Sequence, residues 1–83
     1  MRVKLLFFAT LRDLAGTKSI EIEIPRDATV RTLKNRVAQD YPSLNQSMET
    51  VLVSINHEFA FDDALVTDNA EIALFPPVSG GVL

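Results

Sequence analysis

The sequence predicts an α+β fold: a mixed sheet of about five strands packed on one main helix. Three observations carry this. A strict two-residue alternation runs through Ser19-Ile20-Glu21-Ile22-Glu23-Ile24, as a half-buried strand requires. One segment, Thr29 to Tyr41, changes to a helical period. Short β-rich runs bounded by Gly, Pro, Asn and Asp lie on both sides of it, so the helix has a sheet to cover. With 83 residues the expectation is one domain over residues 1–75, followed by a tail over 76–83.

In chain order, segment 3–9 is the first strand. Val3, Leu5 and Phe7 share one face, and Lys4, Leu6 and Phe8 share the other, so a strand apolar on both sides belongs at the sheet centre. The stretch from Thr10 to Thr17 reads as a loop, with Gly16 available for a positive φ. The second strand, 19–24, stops at Pro25, which has no N–H for a ladder. In the helix, Val30, Leu33, Val37, Ala38 and Tyr41 form one stripe. Thr29 suits the N-cap, and Pro42 disfavours helical geometry at Tyr41. Residues 43–50 are polar and read as irregular. Val51–Ile55 is a third strand, Asn56-His57 a tight turn, and Glu58–Phe61 a short returning strand. Asp62-Asp63 and Asp68-Asn69 punctuate a connection to the last strand, Glu71–Phe75. Placing the first and last strands side by side at the centre gives the β-grasp, or ubiquitin-like, arrangement.

Composition narrows the function classes. The chain is 47% hydrophobic and 23% charged, values of a folded globular domain rather than a disordered one. The absence of cysteine removes disulfides, thiolate metal sites and a cysteine nucleophile, and it suits a reducing, cytoplasmic setting. A net charge of −3 argues against nucleic acid as a partner. No apolar run reaches the roughly 20 residues that span a bilayer, so no membrane partner is expected. The basic, apolar start of the chain runs into Thr10-Leu11-Arg12-Asp13 instead of a small-residue cleavage site and reads as a strand, not a signal peptide.

Catalytic groups are scarce. His57 is the sole histidine and falls in a predicted turn, so neither a triad nor a zinc site can be assembled around it, and no metal is expected. Asp62-Asp63 reads as a capping, solubilising pair and Glu21/Glu23 as the wet side of a strand. The three glycines form no phosphate-binding motif. An independent enzyme is not expected.

Two features remain. The sheet face turned away from the helix carries Leu6, Phe8, Leu52, Ala73 and Phe75 by strand parity, an apolar surface that calls for a protein partner. The tail places two prolines, a stiff extended strut, before Gly80 and Gly81, which have no side chains to obstruct a narrow tunnel. From Pro76 to Gly81 it reaches about 20 Å when extended.

Leu6-Phe7-Phe8-Ala9 with Leu11-Arg12 and Gly16, the Val53-Ser54-Ile55-Asn56 hairpin, Thr67-Asp68-Asn69-Ala70-Glu71-Ile72-Ala73, and above all Phe75-Pro76-Pro77-Val78-Ser79-Gly80-Gly81 resemble the small subunit of molybdopterin synthase over almost the full chain. The resemblance implies a ubiquitin-like sulfur carrier. An adenylating enzyme akin to ubiquitin-activating enzymes uses ATP to activate the terminal glycine, which becomes a thiocarboxylate. Its sulfur then passes to cyclic pyranopterin monophosphate in molybdenum cofactor biosynthesis. On this reading Gly81 carries the sulfur, and Pro76, Pro77, Val78, Ser79 and Gly80 line the channel of the large subunit. Phe8, Phe59 and Phe75 match positions that pack on that subunit, in a heterotetramer. The chain itself binds no cofactor and donates sulfur without supplying catalytic groups.

Val82 and Leu83 depart from the pattern, because a Gly81 held in an amide has no carboxylate to activate. Trimming after Gly81 accounts for them, as do residues appended in cloning; no tag-like sequence accompanies them. The same fold and Gly-Gly end also occur in sulfur carriers for thiazole, cysteine or transfer-RNA thiolation and in ubiquitin-like protein modifiers.

Overall fold

The structure, a computed structural model, describes residues 1–77. In chain order it contains β1 (Arg2–Phe7), α1 (Thr10–Ala15), β2 (Ser19–Glu23), α2 (Val30–Asp40), two 3₁₀ turns at Pro42–Leu44 and Ser47–Glu49, β3 (Leu52–Ile55), β4 (Glu58–Ala60) and β5 (Glu71–Phe75).

The strands form one mixed sheet in the order β2-β1-β5-β3-β4. β1 and β5, apolar on both faces in sequence, lie parallel at the centre with Leu5 opposite Ile72 and Phe7 opposite Leu74. β2 pairs antiparallel with β1, setting Ile20 and Ile22 beside Leu5 and Val3 on the inner face. β3 runs antiparallel to β5 and forms a hairpin with the edge strand β4.

The helix α2 covers the inner face. Val30, Leu33 and Val37 are fully buried and join Val3, Leu5, Phe7, Ile72 and Leu74 in a single core. Each such burial contributes roughly 1.5–3 kcal/mol. Thr29 caps the helix in a reciprocal box: its Oγ1 accepts the Thr32 N–H at 3.3 Å, and its own N–H donates to Thr32 Oγ1 at 3.2 Å. The Tyr41 N–H closes the last turn on the Val37 carbonyl at 2.8 Å, and Pro42 opens a 3₁₀ turn rather than extending the helix.

Two expectations need correction. The stretch from Thr10 to Thr17 is not a loop throughout: α1 occupies Thr10–Ala15, docked by the buried Leu11 and closed by Gly16 at φ +79, whose N–H donates to the Arg12 carbonyl. Six residues expose too little periodicity to be read as a helix, and so short a helix depends on tertiary anchoring. Residues 43–50 are not irregular either. The two 3₁₀ turns seat Leu44 and Met48 in the core, closing it beside α2.

Candidate functional site

On the outer face of the sheet, strand register determines which side chains meet. Leu6, Ala73, Ser54 and Phe59 lie in one row across β1, β5, β3 and β4. The small middle pair is buried between its larger neighbours, so Ala73, expected on an apolar outer face, contributes little exposed surface. Leu52 and Phe75 form the next row.

At the end of that row three aromatic rings come together. Phe8 continues the parallel ladder one residue beyond β1, its N–H donating to the Leu74 carbonyl at 3.2 Å. Its ring stacks on Phe75 with centroids 4.7 Å apart and planes within 12°. Phe59 approaches Phe75 from the other side at 6.4 Å, tilted by 57°. The cluster is only half covered: Phe8 is 40% exposed and Phe59 75%. Phe75 is the last residue of β5, so the cluster sits at the root of the Pro76-Pro77 strut.

Immediately after Phe8 the chain turns sharply at Ala9, with φ +53 and ψ −130, into α1. This conformation favours glycine, because Cβ crowds the backbone there. No side-chain cap compensates at this end of the helix.

The three residues Phe8, Phe59 and Phe75, widely separated in sequence, are thus brought together. Pro76 is half-buried and Pro77 exposed at the start of the tail. Val78, Ser79, Gly80, Gly81, Val82 and Leu83 lie outside the described residues.

The remaining polar candidates sort as structural groups. Asn56 and His57 form the β3–β4 turn with φ +50 and +74, the left-handed pair that a two-residue hairpin requires. The Asn56 Oδ1 accepts the Glu71 N–H at 3.0 Å. His57 is exposed, with Nε2 3.6 Å from a Glu71 carboxylate oxygen. Asp62 does not pair with Asp63. It bridges Lys34 Nζ at 2.7 Å and Arg31 Nη2 at 3.0 Å. The Lys34 hydrogen bond holds the Asp62 carboxyl below its ordinary value; slight burial opposes this, and the charges of Lys34 and Arg31 reinforce it. Glu21 and Glu23 are exposed on β2 beside Arg2. Among the described residues no group of three or more His, Asp or Glu side chains is placed to hold a metal. No helix among them is long and apolar enough to cross a membrane.

Sequence reasoning passed over Phe61, which is 85% exposed just beyond β4. The expected strand Glu58–Phe61 contained it without assigning it a role, and β4 instead ends at Ala60.

Comparison with known proteins agrees with the geometry. A profile of the ThiS family matches residues 5–81. The molybdopterin synthase sulfur carrier subunit of Dictyostelium discoideum is 36% identical over 81 residues, covering 94% of each chain. The structure of small archaeal modifier protein 1 of H. volcanii superposes with a TM-score of 0.84 at 26% identity, over 93% of this chain and 98% of that one. A chain from the complex of subunits 1 and 2 of molybdopterin-converting factor from Helicobacter pylori shares the fold, with a TM-score of 0.68 at 22% identity over 98% of this chain and all of that one. A family match running from residue 5 to Gly81 and a relative 36% identical over nearly the whole chain, on a shared ubiquitin-like fold, make one assignment: the chain belongs to the ThiS family, among the molybdopterin synthase sulfur carrier subunits.

Proposed function

We propose that this chain is the sulfur carrier subunit of molybdopterin synthase, working through the backbone carboxyl of Gly81. The observation that carries the reading is the half-exposed cluster of Phe8, Phe59 and Phe75 at the base of the tail. A partner that covers this cluster receives the tail in a defined direction. Domain and tail divide the work: residues 1–75 are the grip, and of the tail 76–83 the stretch ending at Gly81 is the delivery arm.

The chemistry follows from the terminal glycine. A carboxylate is a poor acyl donor because oxide is a poor leaving group. An adenylating enzyme joins the Gly81 carboxylate to the α-phosphate of ATP and releases pyrophosphate. A sulfur nucleophile then displaces AMP and leaves a thiocarboxylate. With no Cβ at Gly80 or Gly81, the acyl carbon threads into the active site of the adenylating enzyme and then into that of the large synthase subunit. There its sulfur passes to cyclic pyranopterin monophosphate. The carrier contributes positioning, and its partners contribute acid–base groups. ATP belongs to the adenylating enzyme; the carrier holds no cofactor. The assembly is a heterotetramer with two carriers on a large-subunit dimer.

This reading requires Gly81 to be terminal, so Val82 and Leu83 are removed before activation. The test is mass spectrometry after incubation with the adenylating enzyme, ATP and a sulfur donor. The chain ending at Gly81 gains the mass of one sulfur-for-oxygen exchange, and the full chain does not. A chain ending at Gly81 that gains no sulfur defeats the proposal.

A second reading, a protein modifier, is favoured by the likeness to small archaeal modifier protein 1. Immunoblots of native extracts separate the two: a dedicated carrier gives no higher-mass conjugates, whereas a modifier gives a ladder.

A further inference from the structure

Beside the aromatic cluster lies a second apolar feature that the tail-and-cluster reading does not use. The edge strand β4 ends in Ala60, and Phe59 and Phe61 flank that residue with 75% and 85% of their surfaces exposed. Between them, β3 and the N-terminal half of α2 runs an open groove of about 970 Å³ whose lining is mainly apolar, with Val51, Leu52 and Val53 along it. Single exposed hydrophobic residues need no explanation, but a contiguous apolar groove does.

The rim narrows the kind of occupant. Its polar groups are largely spent on one another: Asp62 holds both Lys34 and Arg31, and Thr29 is closed in its capping box. That leaves few free groups converging to orient a small polar molecule, whereas an apolar protein surface needs none.

The groove is also continuous with the cluster. Phe59 belongs to both, lining the groove and lying 6.4 Å from Phe75. Leu52 lines the groove as well and sits opposite Phe75 in the sheet register. A body large enough to cover Phe8, Phe59 and Phe75 therefore abuts the groove.

The areas point the same way. At roughly 200 Å² for a phenylalanine, Phe59 and Phe61 together expose about 300 Å². That exceeds a third of the roughly 800 Å² that a standard interface takes from one partner.

We propose that this groove is the outer half of the carrier's docking surface, covered by an apolar surface of the large subunit that receives the tail, with Phe61 as the carrier's anchor. The inference rests on the sulfur-carrier reading and adds a contact residue on the far side of Phe59 from the tail.

Isothermal titration calorimetry with the large subunit tests it, using the full chain and the form ending at Gly81. Phe61→Ala is expected to weaken binding at least about tenfold, as loss of an aromatic anchor does. Leu65→Ala removes a comparably exposed apolar side chain (65% exposed) outside the groove and leaves binding unchanged. Matching melting curves for the variants and the parent exclude unfolding as the cause.

Equal affinity of Phe61→Ala and the parent overturns the inference and leaves the sulfur-carrier reading intact. Failure of the parent chain to bind in either form overturns both. A concentration-dependent dimer of the free chain that Phe61→Ala abolishes, with binding to the large subunit unchanged, assigns the groove to a second copy and also overturns it. So does a loss of affinity confined to the adenylating enzyme.

Discussion

The ring of Phe8 lies 4.7 Å from that of Phe75, within 12° of parallel, although 66 residues separate them in the chain. The parallel pairing of β1 with β5 makes this contact. The Phe8 N–H bonds to the Leu74 carbonyl, which sets its side chain beside that of Phe75 on the outer face. The last aromatic ring before the tail is therefore held by the residue that follows the first strand of the fold.

Phe8→Ala removes this stack. An aromatic pair is worth about 0.5–1.5 kcal/mol beyond its buried area, and Phe8 is partly exposed, so a loss of about 1–2 kcal/mol is expected in urea denaturation. Binding to the large subunit should fall by a larger factor than this small destabilisation explains. A variant that loses stability but keeps full affinity would place Phe8 in the structural framework alone.

Ala9→Gly should stabilise the protein. Ala9 holds φ +53 with ψ −130, a conformation that costs a residue with a Cβ on the order of 1 kcal/mol. Its side chain is exposed, so glycine loses little packing. Part of the gain is offset by the greater freedom of glycine in the unfolded chain. A raised denaturation midpoint with an unchanged slope is the expected result.

Leu33→Ala probes the layer that α2 forms on the sheet. Leu33 is fully buried in the central cluster, so its truncation should cost about 2–5 kcal/mol, enough to unfold much of a small domain at elevated temperature. Thermal melting followed by far-UV circular dichroism reads this directly.

Asp62 makes stability sensitive to acid. Its carboxyl is held below the ordinary value by the Lys34 hydrogen bond and by the charges of Lys34 and Arg31. A depressed folded-state value means the contribution is fully present above the unfolded carboxylate value of about 3.9 and fades as pH falls through the lowered folded value. The difference in stability between the parent and Asp62→Asn should therefore be constant near neutral pH and shrink below about pH 4. A difference that persists unchanged at lower pH would contradict the assignment.

Much of this was legible before any coordinates. Alternation in Ser19–Ile24 and the stripe Val30, Leu33, Val37 follow from the two side-chain periods, and both elements form where those periods run. The burial of Leu44 and Met48 was not legible, because two isolated apolar residues in a polar stretch carry no period. Helix α1 escaped for the same reason, with Leu11 as its one buried side chain.

The candidate site divides along similar lines. Parity alone turns Phe8, Leu52 and Phe75 to the outer face, since side chains alternate about a strand whatever it pairs with. The Gly-Gly end and its Pro-Pro approach are likewise facts of sequence. That Phe8, Phe59 and Phe75 form one cluster, that Ala73 is covered, and that Phe61 borders a groove were decided by strand order and register. Local periodicity specifies which way a side chain points. Only long-range backbone pairing specifies what stands beside it.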